Sequence, residues 1–362
     1  MQRQMKRIVL VTAALVALGL GTSSGANDKA IFIQLPTGYN ANAVSSSGVV
    51  VGSIRPVGAF HWIATSGAVF AGGLGASGVS RDGRTIVGTA LDASRNQQAG
   101  IWQRGTEWRL LGSVVPNARP CDNLISSGYG TNGDGTVLVG LAWDSCGFAR
   151  AFRWEESTGM VDLGSTVANR SSRANGVSGD GRVVVGWQEH ATGFRQGARW
   201  VDGRQTVFTY ESNTVGEAAG ANTDGSIIVG YYCQPGVPLN QQAWVWTAQT
   251  GVQCLDVPRF RPSPVEGVFL GQAITTSDDG RVIGGAHNFG LESESVIWID
   301  RVPHYLKDYL RENGAPNAFD GWVNSGFVTG MSRDGRVLVG FGAGPRDFTG
   351  FVVIMPDLGE KP

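Results

Sequence analysis

The sequence predicts an all-β chain, a seven-bladed β-propeller closed by its own N-terminal strand, with one short helical insertion before the last blade. Three observations predict it. Asp-Gly pairs recur at Asp82-Gly83, Asp134-Gly135, Asp180-Gly181, Asp224-Gly225, Asp279-Gly280 and Asp334-Gly335, and Ser47-Gly48 is a degenerate copy. Each is followed by a β-rich run ending in a second glycine: Gly52, Gly88, Gly140, Gly186, Gly230, Gly285 and Gly340. Successive turn glycines are separated by 35, 52, 46, 44, 55 and 55 residues, and a four-stranded blade takes roughly 40–50.

The Asp-Gly pair between β-rich runs is a hairpin signal, because glycine supplies the positive φ of a tight turn. Three residues before each turn glycine stands Ser45, Ser80, Asn132, Ser178, Asn222, Ser277 or Ser332. These short polar side chains bond locally to turn backbone. The inner strand leading into the turn carries Ala43, Gly78, Gly130, Gly176, Gly220, Thr275 or Gly330 five residues before that glycine. Inner strands converge on the propeller axis, so small side chains are a packing requirement. The second strand is an unalternated run such as Ile227-Ile228-Val229, which suits a strand buried on both faces.

The third strand ends at a repeated tryptophan: Trp62, Trp102, Trp154, Trp200, Trp246 and Trp298, with Val353 in the last copy. A tryptophan buries about 150–250 Å², a gross gain of roughly 4–6 kcal/mol, so this row is expected to cement each blade to its neighbour. The fourth strand is clearest at Leu110-Leu111-Gly112, Val161-Asp162-Leu163-Gly164 and Val252-Gln253-Cys254-Leu255. Long connections follow at residues 113–123 and 256–271. Ile31-Phe32-Ile33-Gln34-Leu35 looks like such an outer strand without a turn before it, whereas the seventh repeat lacks one after residue 355. The N-terminal strand is therefore expected to complete the last blade, removing an exposed sheet edge. In the interruption at 300–322, Tyr305, Leu306, Tyr309 and Leu310 repeat at helical spacing between Pro303 and Asn313-Gly314. That pattern predicts an amphipathic helix over 303–314.

The chain has 362 residues, 54 of them glycine and only 16% charged, as fits a turn-rich β protein. Residues 1–26 read as a secretory signal peptide: Arg3, Lys6 and Arg7, then an apolar core over 8–20, then Ser24-Gly25-Ala26. The core is short for a membrane span, and export to the periplasm or outside the cell is the expectation. Residues 27–362 then form the propeller. Without the leader 26 basic residues face 30 acidic ones, which argues against a nucleic-acid partner. The four cysteines of an exported chain suggest disulfides Cys121–Cys146 and Cys233–Cys254. Each would stabilise by roughly 3 kcal/mol.

The phrases Ala59-Phe60-His61-Trp62 and Ala151-Phe152-Arg153-Trp154, joined to the V-S-x-D-G-R-x-V-V-G turn, resemble the bacterial extracellular HAF-repeat family. Tyr305–Gly314 before Gly321-Trp322 is similar to the closing segment of such proteins. The resemblance spans nearly the whole mature chain and implies an exported repeat protein with no well-defined activity. It supplies no catalytic residue. The first copy lacks the Asp-Gly pair, the last lacks its Trp, and most lack the His-Ala-Phe triplet.

Catalytic signatures are weak. Gly21-Thr22-Ser23-Ser24-Gly25 matches a nucleophile elbow but falls in the leader. G-x-G-x-x-G matches at 73–78 and 128–133 lead into strands rather than a phosphate-receiving helix. The turn aspartates lack calcium-loop spacing. His61, His190, His287 and His304 lack metal-ligand spacing, and no cofactor is expected. The reading is a binding module for carbohydrate or protein, without catalysis of its own. The alternative is a polysaccharide lyase or hydrolase working from the loop face. If the inner strands run down to the Asp-Gly turns, the residues just past the second-strand glycine lie on the opposite, upper face. They are Trp143, Trp187, Tyr231, Tyr232 and Phe341, with Glu189, His190 and His287 beside them. Flat rings offer contact area and the polar groups orient a ligand, so these eight residues are the candidate binding rim, with ring-on-blade packing the competing role.

Overall fold

The computed structural model describes residues 28–116, 119–144, 146–233, 242–258, 271–289 and 292–359. Seven four-stranded antiparallel sheets form the blades of a β-propeller. Their inner strands are Tyr39–Val44, Gly75–Val79, Ser126–Thr131, Ser172–Val177, Ala218–Ala221, Gly271–Thr276 and Asn324–Met331. In blade 4 the order continues outward through Val183–Glu189, Arg195–Val201 and Arg204–Val207. A small hairpin, Thr209–Tyr210 with Asn213–Thr214, joins blade 4 to blade 5. The expected leader lies outside the described residues, as does most of the 256–271 connection. Among the described residues no helix is long and apolar enough to cross a membrane.

The turn works as its residues require. In blade 4 the Ser178 hydroxyl donates to Asp180 Oδ1 at 2.6 Å and accepts the Val183 N–H at 2.9 Å. Asp180 Oδ1 also accepts the Arg182 N–H at 3.0 Å, and Gly181 sits at φ +80°. In blade 3 Asn132 replaces the serine and its Oδ1 accepts the Val137 N–H at 3.0 Å. The degenerate first copy keeps the network, with Ser47 Oγ 2.8 Å from Ser45 Oγ in place of the aspartate. These hydrogen bonds, led by the one from Ser80, hold the Asp82 carboxyl below its ordinary pKa. The turn aspartates are occupied with their own backbone.

The second repeated glycine has a separate cause. Every inner strand carries a β-bulge, with one residue left out of register, for example between Ala174 and Gly176. The bulge pushes the preceding carbonyl onto the facing second strand. A Cβ at Gly186 would lie 2.0 Å from the Arg173 carbonyl oxygen, and the same clash recurs at Gly52, Gly88, Gly140, Gly230, Gly285 and Gly340. The extra residue of each bulge turns toward the axis. Three of them grip the next blade: Asn42 Nδ2 donates to Ala76 O, Asn175 Nδ2 to Ala218 O and Thr329 Oγ1 to Ala41 O, each at 2.8 Å.

Hydrophobic clusters fill the seven blade interfaces. Val184 faces blade 3, while Val183 and Val185 face blade 5, which explains the unalternated apolar run. Trp62, Trp102, Trp154, Trp200 and Trp298 are buried against the preceding blade. Trp246 is half-buried, and Trp244, two residues earlier, takes the enclosed place in blade 5. The small residues of the inner strands meet backbone to backbone, a Cβ at Gly78 coming 3.3 Å from Gly130 Cα.

Ile31–Thr37 pairs with Phe348–Ile354 as the outermost strand of blade 7, as expected, and closes the ring. The insertion then locks it. Phe32 packs on Phe319 with ring centroids 4.6 Å apart, and Phe319 packs on Phe351 at 5.1 Å. The helix is shorter than expected, Leu306–Glu312, with Leu306 and Leu310 buried. Pro303 lies instead in Val302–Tyr305, the outer strand of blade 6. An edge strand tolerates the missing proline N–H, so blade pairing takes residues that helical spacing alone assigns to the helix.

One expected bridge is present, Cys233–Cys254 with Cα atoms 5.6 Å apart. The other is a correction: Cys121 and Cys146 are free thiols. Cys146 has φ +61°, and its Sγ is turned to the Pro120 carbonyl oxygen at 3.6 Å. The neighbouring Cys146 thiol, and then desolvation, push the Cys121 pKa up to about 11.

The close approach at the bulge gives a direct test. Gly186→Ala should cost about 3 kcal/mol or more, as overpacking against backbone that cannot yield. Gly203→Ala, at φ +73° in open space, should cost only about 1–2 kcal/mol. Urea denaturation of the two variants checks this, and equal losses would refute the contact argument.

Candidate functional site

Eight residues before each turn glycine, just above the bulge, stand Asn40, Gly75, Ser127, Arg173, Glu217, Gln272 and Phe327. Two residues further on, Tyr129 and Asn175 line the axial channel in blades 3 and 4, which sets these positions beside its upper mouth. Blades 4 and 5 place opposite charges there, Arg173 and Glu217. Glu217 is fully buried, so its carboxylate requires partners. Its Oε2 accepts from Tyr231 OH at 2.7 Å, from Arg173 Nη2 at 3.4 Å and from Asn175 Nδ2 at 3.4 Å. Its Oε1 accepts from Arg195 Nη1. Arg173 Nε donates to Asn175 Oδ1 at 2.7 Å, which fixes the guanidinium plane.

Aromatic rings enclose the two guanidiniums. Arg195 lies 4.5 Å and Arg173 5.6 Å from the Trp187 ring, and Arg173 lies 5.1 Å from Tyr129. Tyr231 and Tyr232 pack at 5.3 Å. Burial, and then the Glu217 carboxylate, raise both tyrosine pKa values above the ordinary range. Both phenols therefore stay neutral, and Tyr231 donates to Glu217. One carboxylate against two guanidiniums leaves a positive surplus, and the Arg195 side chain is half exposed to present it. This is a rigid cationic and aromatic patch suited to holding a ligand.

Of the expected rim residues, Trp187, Tyr231 and Tyr232 converge here. Trp187 is itself buried beneath the arginines. The rest do not converge. Glu189 accepts the Ser171 N–H at 3.2 Å, and exposed His190 stabilises the hairpin tip through Thr192 at 2.9 Å. Trp143 is half-buried on blade 3, its carbonyl accepting from Ser113 Oγ at 3.1 Å. Phe341 joins Phe327 and Phe348 in a separate ring cluster at the blade 7 mouth. His287 is buried and does not reach the rim. Its Nδ1 lies 3.0 Å from Tyr305 OH, because Tyr305 folds over the blade where sequence spacing leaves the histidine open. Sequence reasoning missed Arg173, Asn175, Arg195, Glu217 and Tyr129. Aligning the repeats on the residue eight before the turn glycine exposes the unusual Arg173–Glu217 pair. Among the described residues no group of acidic, histidine or cysteine side chains is placed to hold a metal ion.

No protein-family model matches the chain, and no curated protein matches it. Solved structures do. The β-propeller domain of the trilobed protease from Pyrococcus furiosus aligns with TM-score 0.55 and 13% identity, covering 89% of this chain and 97% of that one. A prolyl endopeptidase structure aligns with TM-score 0.50 and 10% identity over 79% of this chain. TolB from Acinetobacter baumannii aligns with TM-score 0.46 and 11% identity over 77%. The chain spans only 43% of that endopeptidase and 63% of that TolB. At these identities the likeness is one of fold. The Pyrococcus domain is described as an open velcro, whereas Ile31–Thr37 closes the present ring.

Two tests follow from the buried charges. Glu217→Gln leaves two guanidiniums facing a neutral amide and should destabilise the fold by about 3 kcal/mol, read by chemical denaturation. His287 gives a pH dependence. Burial lowers its pKa from 6.5 to about 4, against a smaller upward pull from Glu294. Between pH 6.5 and 4 the unfolded chain binds a proton that the folded chain refuses, so stability falls as pH falls through that window. His61, buried against Trp102, is shifted the same way by burial and then Arg104. The melting temperature should drop on acidification from pH 6.5 to 4, with a shallower slope in His287→Gln.

Proposed function

We propose that the protein is an exported binding module whose ligand sits on the upper mouth, over Arg195, Trp187, Tyr129 and Tyr231. The observation that carries this reading is the buried Glu217, which holds two arginines and a tyrosine in fixed positions before any ligand arrives. Preorganised polar groups beside flat rings reduce the ordering cost of binding. The carboxylate is saturated by donors and the phenols resist ionisation, which favours holding a ligand over proton transfer. Sugars and peptide side chains both stack on such rings, and carbohydrate or protein is the proposed ligand class. The Cys233–Cys254 bridge supports export, since such bonds persist in oxidising compartments. The resemblance to exported HAF-repeat proteins belongs to the same proposal.

A glycan array and a peptide array probed with the full chain supply the ligand. Arg195→Lys keeps the charge but loses the planar stacking surface, and Tyr129→Ala removes a half-buried ring at the mouth. Each should weaken binding by at least about tenfold, equivalent to about 1.4 kcal/mol, with little change in melting temperature. Unchanged affinity in both variants would place the ligand elsewhere. Turnover of an oligosaccharide by the wild type, abolished in Glu217→Gln, would replace binding by catalysis.

A further inference from the structure

The other end of the channel carries a second anomaly. Two residues before the turn glycines, the seven blades contribute Ser46, Arg81, Gly133, Gly179, Thr223, Asp278 and Arg333. These turns are laced together: the Arg81 N–H donates to Gly133 O at 2.7 Å, the Gly133 N–H to Gly179 O at 2.8 Å and the Asp278 N–H to Arg333 O at 2.8 Å. Arg81 and Arg333 line the same channel, a space of about 240 Å³. Their guanidiniums donate to neutral acceptors, Arg81 Nη2 to Thr223 Oγ1 at 3.3 Å and Arg333 Nη1 to Ala221 O at 3.0 Å. Asp278 is the acid at this mouth, but Thr223 holds both its oxygens, the N–H on Oδ1 and the hydroxyl on Oδ2, each at 2.9 Å. The turn aspartates are bonded within their own turns.

We propose that this turn-side mouth is an oxyanion site, in which Arg81 and Arg333 together receive one carboxylate or phosphate group. It is distinct from the upper patch and does not depend on it. Two guanidiniums converging on one narrow space repel each other, and an anion between them removes that repulsion while forming charge-assisted hydrogen bonds. Burial lowers the Arg333 pKa, Asp278 opposes this, and Arg81, close enough to act on the same guanidinium, adds a smaller downward push. Gly133 and Gly179 let the turns of blades 3, 4 and 5 pack closely beside the arginines, a Cβ at Gly133 coming 2.9 Å from the Gly179 carbonyl oxygen. A Cβ at Gly133 would come 3.5 Å from Arg81 Nη2, and one at Gly179 would come 2.9 Å from Thr223 Oγ1.

Calorimetric titration of the full chain with inorganic phosphate, acetate and chloride at constant ionic strength tests the site. Saturable binding of phosphate or acetate over chloride is expected, and the preferred oxyanion identifies the group the natural ligand carries. Arg333→Gln and Arg81→Gln should each weaken it at least about tenfold, whereas Arg195→Lys at the upper mouth should leave it unchanged. Arg81 is exposed, so its variant folds even where loss of Arg333 does not. No saturable binding by the wild type, chloride binding equal to phosphate and acetate, or full affinity in Arg81→Gln, overturns the proposal.

Discussion

The contact between a bulged inner strand and a bare glycine opposite it is what the rest of the ring depends on. In all seven blades the carbonyl eight residues before the turn glycine presses onto the second strand where a Cβ would come within about 2 Å. The bulge cannot be removed without losing its product, a side chain turned toward the axis. That side chain either grips the next blade, as Asn42, Asn175 and Thr329 do, or lines the channel, as Tyr129 does. The same kink lets inner strands approach backbone to backbone, which requires the small residues beside it.

Both candidate sites sit where this regular frame is decorated irregularly. Above the bulge, most blades offer small or neutral residues, while blades 4 and 5 set Arg173 against buried Glu217. Below it, at the turns, glycines in blades 3 and 4 are faced by arginines in blades 2 and 7. A repeat can vary at these positions because side chains there stand outside the seven hydrophobic clusters, so that a pair such as Arg173 and Glu217 can link two blades without disturbing the other five. The interfaces tolerate less. Valines of one strand fill two different clusters at once, so a change there is felt on both sides.

Closure is a local solution to a general problem. A ring of sheets has a seam, and here the seam is blade 7, assembled from both ends of the chain. Backbone pairing of Ile31–Thr37 is reinforced by side chains from the insertion. Trp322 Nε1 donates to Gln34 Oε1 at 3.2 Å, and Phe319 wedges between Phe32 and Phe351. The Ala30 N–H reaches the Asn313 carbonyl at the end of the short helix, at 2.7 Å. The helix thus serves the seam, which explains why it precedes the last blade.

The sequence by itself determined what repeats: the turn, the apolar second strand, the tryptophan, the number of blades and the N-terminal closing strand. Each rests on local chemistry or on periodicity, and periodicity survives without coordinates. The Cys233–Cys254 bridge was legible because both residues belong to one blade. Tertiary structure decided what depends on neighbours. It moved Pro303 from helix to edge strand, left Cys121 and Cys146 as thiols, and buried His287 under Tyr305. It also dispersed the aromatic rim and replaced it with Glu217 and its donors, residues drawn from blades 4 and 5. Whether a ring is a surface or a support is settled by what covers it, and that comes from residues far away in the chain. The charges of Arg81 and Arg333, 252 positions apart in the sequence, meet only because the ring closes.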